Sequence, residues 1–175
     1  MKILVCISHV PDTTSKINFV DDDTVFDKNG VKFVINPNDE FGLTRAVWFQ
    51  QKQQAEVTVI TVGDPSCEST LRKCLAIGAN KAVRVDLNPT DGFQVAQQLS
   101  SHCKVENYDL IIAGRESIDY NGAMVPGMIS ALLGYNFVTN CMALEVDGNS
   151  VKAVSYTHLR AHETRGNLVC RLLLE

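Results

Sequence analysis

A chain of 175 residues is the length of one domain and can bury a sizeable hydrophobic core. Hydrophobic residues make up 45% of it and charged residues 21%, which is ordinary for a soluble globular protein. The net charge of −4, with no basic stripe along the sequence, argues against a nucleic-acid-binding protein.

The first predicted element is a strand over residues 3–8, a continuous apolar run of the kind found in strands covered on both faces. This run is too short to span a membrane and lacks a signal-peptide cleavage site, so we expect a cytoplasmic location. Residues 10–35 are polar and rich in turns, with β-like pieces at Lys16–Val20 and Val31–Ile35. They predict a hairpin-type excursion.

A first helix is predicted to open at the segment Asn36–Asp39, where Asn38 or Asp39 can cap it. Its apolar face is expected to carry Leu43, Ala46 and Val47.

Strand signals then alternate with helix signals. The strands are predicted at residues 56–62, 82–85 and 110–113. Asp64 with Pro65 begins one helix, Asp91 begins the next, and a third runs to Leu133. The helix after Pro65 is expected to contain Leu71, Cys74 and Leu75 and to end at Gly78.

Three consecutive strand–helix–strand connections require right-handed crossovers, and therefore a parallel sheet with helices on both faces. The sequence thus predicts an α/β fold. Beyond Gly134, residues 137–146 and 151–154 are predicted to be extended around the turn Asp147–Asn149.

The loop Gly114–Met124 is the main candidate site. Backbone N–H groups near Tyr120–Met124, at a helix N-terminus, can hold a phosphate, while Asp119 or Asn121 would orient the loop or a ribose. The alternative is a simple turn between strand and helix, because Gly and Asn are common in turns. Neither a P-loop Lys-Ser/Thr nor a GxGxxG pattern is present.

The other strand ends are predicted to lie at the same edge of the sheet as this loop. Cys6 and Val62 are placed to line an adenine slot, and the Asn36 amide to bind a base or sugar. The alternative is core lining for Cys6 and Val62, and helix capping for Asn36–Asp39.

Cysteine and histidine patterns predict neither a metal site nor a catalytic pair. The six cysteines form no CxxC pair and are expected to be reduced and buried. His158 and His162 have helical i,i+4 spacing but no third ligand. His9 has no orienting partner at a readable spacing and is predicted to be a surface residue near the cleft.

Four separated motifs resemble the beta (small) subunit of electron-transfer flavoproteins across residues 1–154. They read KILVCISHVPDT, INPNDEFGLTRAV, TLRKCLAIGA and DLIIAGRESIDYNGAMVPGMISALLG. The resemblance implies a Rossmann-like fold of the adenine nucleotide alpha-hydrolase type and a heterodimer with an alpha subunit that holds most of the contacts to a redox-active FAD. It further implies that the beta subunit binds AMP, or a second FAD in electron-bifurcating members. The protein would then carry electrons from dehydrogenases to a quinone reductase or another acceptor and would itself make and break no bonds.

Carried over position by position, the family's nucleotide contacts fall on residues at the strand ends and in the loop. They are Cys6, Asn36, Pro37, Asn38, Asp39, Val62, Asp119, Tyr120, Asn121, Gly122, Ala123, Met124, Val125, Pro126, Gly127, Met128, Ile129 and Ser130. Many family members read like IDGDTGQVGP in the loop, whereas here Gly122 and Met124 replace the Thr and the Gln, and Pro126–Gly127 inverts the Gly-Pro pair. Backbone binding of a phosphate tolerates these changes, and the choice between AMP and FAD stays open.

Residues 155–175 break with the preceding composition and resemble a translated adapter sequence. We therefore divide the chain into a C-terminally truncated nucleotide-binding domain, residues 1–154, and a non-native tail.

A competing function is a stand-alone ATP- or AMP-binding stress-type module of the same fold. An ATP-pyrophosphatase-type enzyme would need an SGGxDS-like loop after the first strand, and Ser8–Pro11 is not one.

Overall fold

The computed structural model describes residues 1–148, 150–156, 161–164 and 168–172, the last two ranges as backbone only. The strands are β1 (Lys2–Cys6), β2 (His9–Pro11), β3 (Phe19–Val20), β4 (Val25–Phe26), β5 (Phe33–Ile35), β6 (Glu56–Val62), β7 (Lys81–Val85), β8 (Leu110–Gly114), β9 (Asn136–Asp147), β10 (Ser150–Ser155), β11 (Ala161–Thr164) and β12 (Leu168–Leu172). The α-helices are α1 (Pro37–Gln53), α2 (Glu68–Ile77), α3 (Gly92–Glu106) and α4 (Val125–Leu133).

An eight-stranded sheet, in the order β11-β10-β9-β12-β8-β1-β6-β7, forms the centre of the described structure. Strand β1 is parallel to β6 and to β8, and β6 is parallel to β7. Strands β9 and β10 form an antiparallel hairpin. The predicted α/β, Rossmann-like fold with a mainly parallel sheet is confirmed.

Each face of the sheet has its own hydrophobic core, because side chains alternate along a strand. From β1, Ile3 and Val5 pack on the face covered by α1 and α2. Leu4 and Cys6 pack on the opposite face, which α3 and α4 cover. The apolar run at the start of the chain is therefore buried on both sides, as the sequence predicts.

Helix starts follow local capping signals in two of three cases. The Asp64 carboxylate accepts from the Ser66 N–H at the start of a 3₁₀ turn that leads into α2, and Asp91 accepts from Gln94 at the start of α3. The predicted capping of α1 by Asn38 or Asp39 is wrong. The N-cap is Asn36, without a side-chain capping bond, because all three side chains bond to distant backbone groups instead.

The apolar face of α1 is confirmed, since Leu43, Ala46 and Val47 are buried. The predicted helix α2, ending at Gly78, is confirmed, and its apolar residues differ in burial. Leu71 and Cys74 are buried, but Leu75 is 41% exposed. The buried stripe of this helix runs through Thr70, Leu71 and Cys74, which places Leu75 at its solvent side.

The predicted excursion between β1 and α1 is confirmed as two small antiparallel pairs. Strand β2 pairs with β5, and β3 pairs with β4. The pairing of β5 with β2 returns the chain to the end of β1, where the Asn36 N–H donates to the Ser8 carbonyl at 3.0 Å. The excursion therefore leaves and re-enters the fold at one point of the sheet edge.

Parts of the segment set aside as a tail belong to the sheet. Strand β12 is parallel to β8 and β9 and lies between them, and β11 pairs with β10. The run LVCRL of β12 is apolar enough to suit an inner strand. The adapter origin of residues 155–175 stays a prediction, and His158 of the weak metal motif lies outside the described residues.

Within the described ranges, none of the helices combines the length and the apolarity that crossing a membrane requires. The expectation of reduced, buried cysteines is confirmed for Cys6, Cys67, Cys74 and Cys103, and Cys141 is likewise buried.

Two leucines on α1 and α2 test the packing of these helices on the sheet. Leu43 is fully buried and Leu75 is 41% exposed. We expect Leu43→Ala to lower the free energy of unfolding by about 2–5 kcal/mol, because it removes core contacts and leaves a cavity. Leu75→Ala should change it by about 0.5 kcal/mol or less. Chemical denaturation of both variants measures the difference, and equal losses would contradict this burial pattern.

Candidate functional site

The carboxyl ends of three parallel strands meet at one edge of the sheet. Strands β1, β6 and β8 end at Cys6, Val62 and Gly114. Cys6 is aligned with Ile60 of β6 and with Ala113 of β8, so the segments that follow emerge side by side. Open α/β sheets bind ligands at such an edge. The structure thus brings together the strand ends that the sequence proposes as a site.

The buried carboxylate of Asp39 joins two of these strand ends. Its Oδ2 accepts from the Ser8 N–H at 2.8 Å, and its Oδ1 accepts from the Gly114 N–H at 2.9 Å. Burial raises the pKa of Asp39 to about 6, although hydrogen bonds from Ser8, Asn36 and Gly114 favour the ionised form. The edge therefore holds a carboxylate that changes charge near neutral pH.

Gly114 is required by the close approach of Asp39. A Cβ at this position would lie 2.2 Å from the Asp39 Oδ1 and 2.8 Å from the backbone carbonyl carbon of Asn38. Such distances are far inside van der Waals contact, and a backbone atom cannot move aside as a side chain can. Any other residue at the end of β8 would push α1 away from the strand.

The side chains of Asn36 and Asn38 hold the loop that follows β8. The Asn36 Nδ2 donates to the Glu116 carbonyl at 2.9 Å, and its Oδ1 accepts from the Ile118 N–H at 3.3 Å. The Asn38 Nδ2 donates to the same Glu116 carbonyl at 2.8 Å. The Asn36 amide, which the sequence assigns to a base or sugar, is thus bonded to the protein backbone.

The loop from Gly114 to Met124 contains two non-glycine residues in the left-handed region, Asn121 at φ 50° and Ala123 at φ 53°. Such conformations cost about 1–3 kcal/mol each and concentrate at ligand sites. The loop leads into α4, whose N-cap, Met124, makes no side-chain capping bond and whose second residue is Pro126. The first turn of a helix lacks intrahelical acceptors for its N–H groups, so this helix start suits an anion.

A cavity of about 630 Å³ opens between the sheet edge and the excursion. The edge contributes Val62, Gly63 and the loop residues Ile118–Tyr120. The excursion contributes aromatic side chains, namely His9, Phe19, Phe26 and Phe33. The volume and the mixed apolar and polar walls are those of a small-molecule site.

His9 lies in the wall of this cavity, at the cleft where the sequence predicts it, but it is half-buried and has side-chain partners. Its ring stacks on Phe33 with centroids 4.6 Å apart, and its Nδ1 lies 2.8 Å from the Thr70 Oγ1. Burial lowers the pKa of His9 below its ordinary value, which favours the neutral ring. Sequence reasoning missed the contact because His9 lies on strand β2 and Thr70 on helix α2, 61 positions along the chain, and no local spacing signals it.

The other proposed site residues differ in their surroundings. Tyr120 and Met124 are exposed, while Pro126, Ile129 and Ser130 are buried. Ile129 packs in the core with Leu4 and Cys6, and the Ser130 hydroxyl donates to the Tyr135 carbonyl at 2.7 Å. Of these residues only Tyr120 lines the cavity, whereas Ile129 and Ser130 serve the core and the helix end.

The titration of Asp39 predicts a pH-dependent stability. Its pKa in the fold, about 6, exceeds its ordinary 3.8, so its contribution to the free energy of unfolding is largest below pH 3.8 and is lost as the pH rises through about 6. We expect wild type to lose about 2 kcal/mol relative to Asp39→Asn between pH 4 and 7. Urea titrations across this range measure it, with Asp91→Asn at an exposed helix cap as the control. A constant difference between wild type and Asp39→Asn would contradict the burial of the charge.

Comparison with known proteins gives one consistent result. Residues 23–164 match the family described as the electron transfer flavoprotein domain. Among similar proteins, electron transfer flavoprotein subunit beta of Bacillus subtilis is 30% identical over 157 residues, which cover 87% of this chain and 60% of that protein. The corresponding subunit of Clostridium acetobutylicum is 34% identical over 156 residues, again 87% and 60%.

A third similar protein is named for a particular electron-transfer system, the acryloyl-CoA reductase electron transfer subunit gamma of Anaerotignum propionicum. It is 30% identical over 157 residues, which cover 86% of this chain and 58% of that protein. The chain spans about three fifths of the length of the curated relatives it matches. The resemblance to beta subunits is confirmed, and the chain belongs to the electron transfer flavoprotein family.

Proposed function

We propose that this chain is the nucleotide-binding part of an electron-transfer flavoprotein beta subunit, which binds AMP or a second FAD at the carboxyl edge of its sheet. The observation that carries the proposal is the convergence of Cys6, Val62 and the loop after Gly114 beside a cavity of about 630 Å³. Family membership, which rests on sequence alone, is independent support.

The residues at this edge fit an adenine nucleotide. The uncapped start of α4 offers backbone N–H groups to a phosphate. The aromatic wall of Phe19, Phe26 and Phe33 offers apolar surface to a planar ring. Asp64 and Asp119 also line the cavity and would repel an anion, so binding of the phosphate would rest on backbone N–H groups and on Lys28, which lines the same cavity.

In this proposal the chain itself makes and breaks no bonds. A flavin, when bound, supplies reversible one- or two-electron transfer, and the protein contributes position and electrostatics. The loop amides and the cavity wall hold the nucleotide part, and the two hydrophobic cores keep the strand ends fixed. The proposed role is therefore that of an electron carrier subunit and not of an enzyme.

The proposed partner is an alpha subunit that holds most of the contacts to a redox-active FAD. Dehydrogenases would supply the electrons, and a quinone reductase or another acceptor would receive them. A cytoplasmic location agrees with the free, buried state of Cys6, Cys67, Cys74 and Cys103, because reducing compartments preserve thiols.

We also propose that residues 1–154 are the native part of the chain and that residues 155–175 derive from an adapter. The proposal rests on the abrupt change of composition after Val154. Sequencing the intact gene decides it. A natural reading frame that continues with SYTHLRAHET would refute the adapter origin.

Co-expression with an electron-transfer flavoprotein alpha subunit tests the function. We expect a yellow heterodimer, because a flavin bound mainly by the alpha subunit absorbs visible light. Denaturation and chromatography of the released nucleotides should then yield FAD together with AMP, or more than one FAD per heterodimer if this chain binds FAD itself. The measurement therefore distinguishes the two nucleotides as well as testing the assembly.

A matched control expresses each subunit alone. This chain could instead form a colourless homodimer that does not bind the alpha subunit and that releases ATP on denaturation. The beta-subunit assignment would then fail, and the chain would be a stand-alone ATP-binding module.

A further inference from the structure

We propose that Asn36, Asn38 and Asp39 are positioning residues, which act on a bound nucleotide only through the backbone that they hold. Their side chains, which we call the strand-end clamp, fix residues 114–118 to the end of β1. The identity of the ligand in this inference rests on the proposed function, whereas the hydrogen bonds of the clamp are present in the chain without any ligand. This reassigns residues that the family resemblance places in direct contact with the nucleotide.

The polar atoms of Asn36 and Asp39 are committed to backbone groups, and so is the Nδ2 of the half-buried Asn38. Both polar atoms of the Asn36 side chain bond to the loop, at the Glu116 carbonyl and the Ile118 N–H. Both oxygens of Asp39 accept backbone N–H groups. Asn36 is fully buried and Asp39 is 4% exposed, so little of either side chain can reach a ligand.

The held backbone is the part of the loop that shapes the cavity. Glu116 receives both asparagine amides, and Ile118, two residues further, lines the cavity with Asp119 and Tyr120. The Asn121 N–H donates to the Ser117 carbonyl at 2.9 Å, which carries the restraint towards the start of α4. A shift of residues 116–118 would therefore move the cavity wall and the loop amides together.

Gly114 completes the clamp from the strand side. Its N–H reaches the Asp39 carboxylate because no Cβ intervenes, and a methyl group there would lie 2.2 Å from the Asp39 Oδ1. The contact between Gly114 and Asp39 can therefore be disrupted by a substitution at either residue. Gly114→Ala is thus an independent way to perturb it without touching an asparagine.

Direct contact and positioning predict different patterns of affinity. A side chain that bonds to the ribose or the base loses its effect when the ligand lacks that group. A side chain that only places the loop weakens every ligand of the loop by one common factor. Comparing the loss of affinity among several ligands therefore separates the two roles, even where the size of the loss for one ligand does not.

The experiment measures affinities of the full 175-residue chain for AMP, 2′-deoxy-AMP and inosine monophosphate by titration calorimetry. The variants are Asn36→Ala, Asn38→Ala and Gly114→Ala, at a temperature where circular dichroism shows each one folded. We expect Asn36→Ala to weaken all three ligands about tenfold, equivalent to about 1.4 kcal/mol. Asn38→Ala should weaken them less, because the Glu116 carbonyl keeps its bond from Asn36.

Asn80→Ala is the matched control. Asn80 also bonds through its side chain to the backbone, accepting from the Val57 N–H at 2.8 Å, but at the opposite end of the strands. It should lower stability and leave the three affinities unchanged. A loss in Asn36→Ala that disappears for 2′-deoxy-AMP or for inosine monophosphate would show direct contact and overturn the proposal.

Amide hydrogen exchange of the nucleotide-free chain provides the second readout. Exchange at Ile118 and Gly114 should be faster in Asn36→Ala than in Asn80→Ala, because the first variant releases the loop. Unchanged exchange at Ile118 would overturn the clamp, and Asn38→Ala gives the milder test if Asn36→Ala does not fold. Suppose that the wild-type chain binds none of the three nucleotides, while exchange at Ile118 is still faster in Asn36→Ala. That result would refute the proposed function and leave the clamp standing.

Discussion

The buried carboxylate of Asp39 is the contact on which the candidate site depends. It joins the first turn of α1 to the segment after β1, through Ser8, and to the end of β8, through Gly114. A buried charge is tolerated only when its hydrogen-bonding capacity is filled, and two backbone N–H groups fill it here. Their positions in turn require a glycine at position 114 and a helix that starts at the sheet edge.

The excursion between β1 and α1 serves the same edge in a second way. Because β5 pairs with β2, the chain returns to the end of β1 before α1 begins. That return places Asn36 against the loop and leaves Phe33 stacked on His9 in the cavity wall. One short pair of strands thus aligns the polar clamp and the aromatic wall, and the position of each depends on the other.

Much of the fold could be predicted because its signals are local. The strand Glu56–Val62 matches its apolar run, and Asp64 and Asp91 cap the turns that directly follow them. The exposure of Leu75 could not be predicted, because two faces of a short helix can satisfy the same spacing and only packing on the sheet selects one. The residues proposed for nucleotide contact came from the strand ends and from family resemblance, and they stay predictions.

By itself, the sequence predicted the alternation of strands and helices up to Gly134, the parallel sheet, the proposed ligand edge and the family, but not the places of β11 and β12 in the sheet. Only the tertiary structure decided what the polar side chains at that edge do. The partners of Asp39 lie 31 and 75 positions away, and the loop N–H bonded to Asn36 lies 82 positions away. A helix or a strand is specified by residues within one or two turns of each other, whereas a buried polar group takes whatever partner the folded chain brings to it.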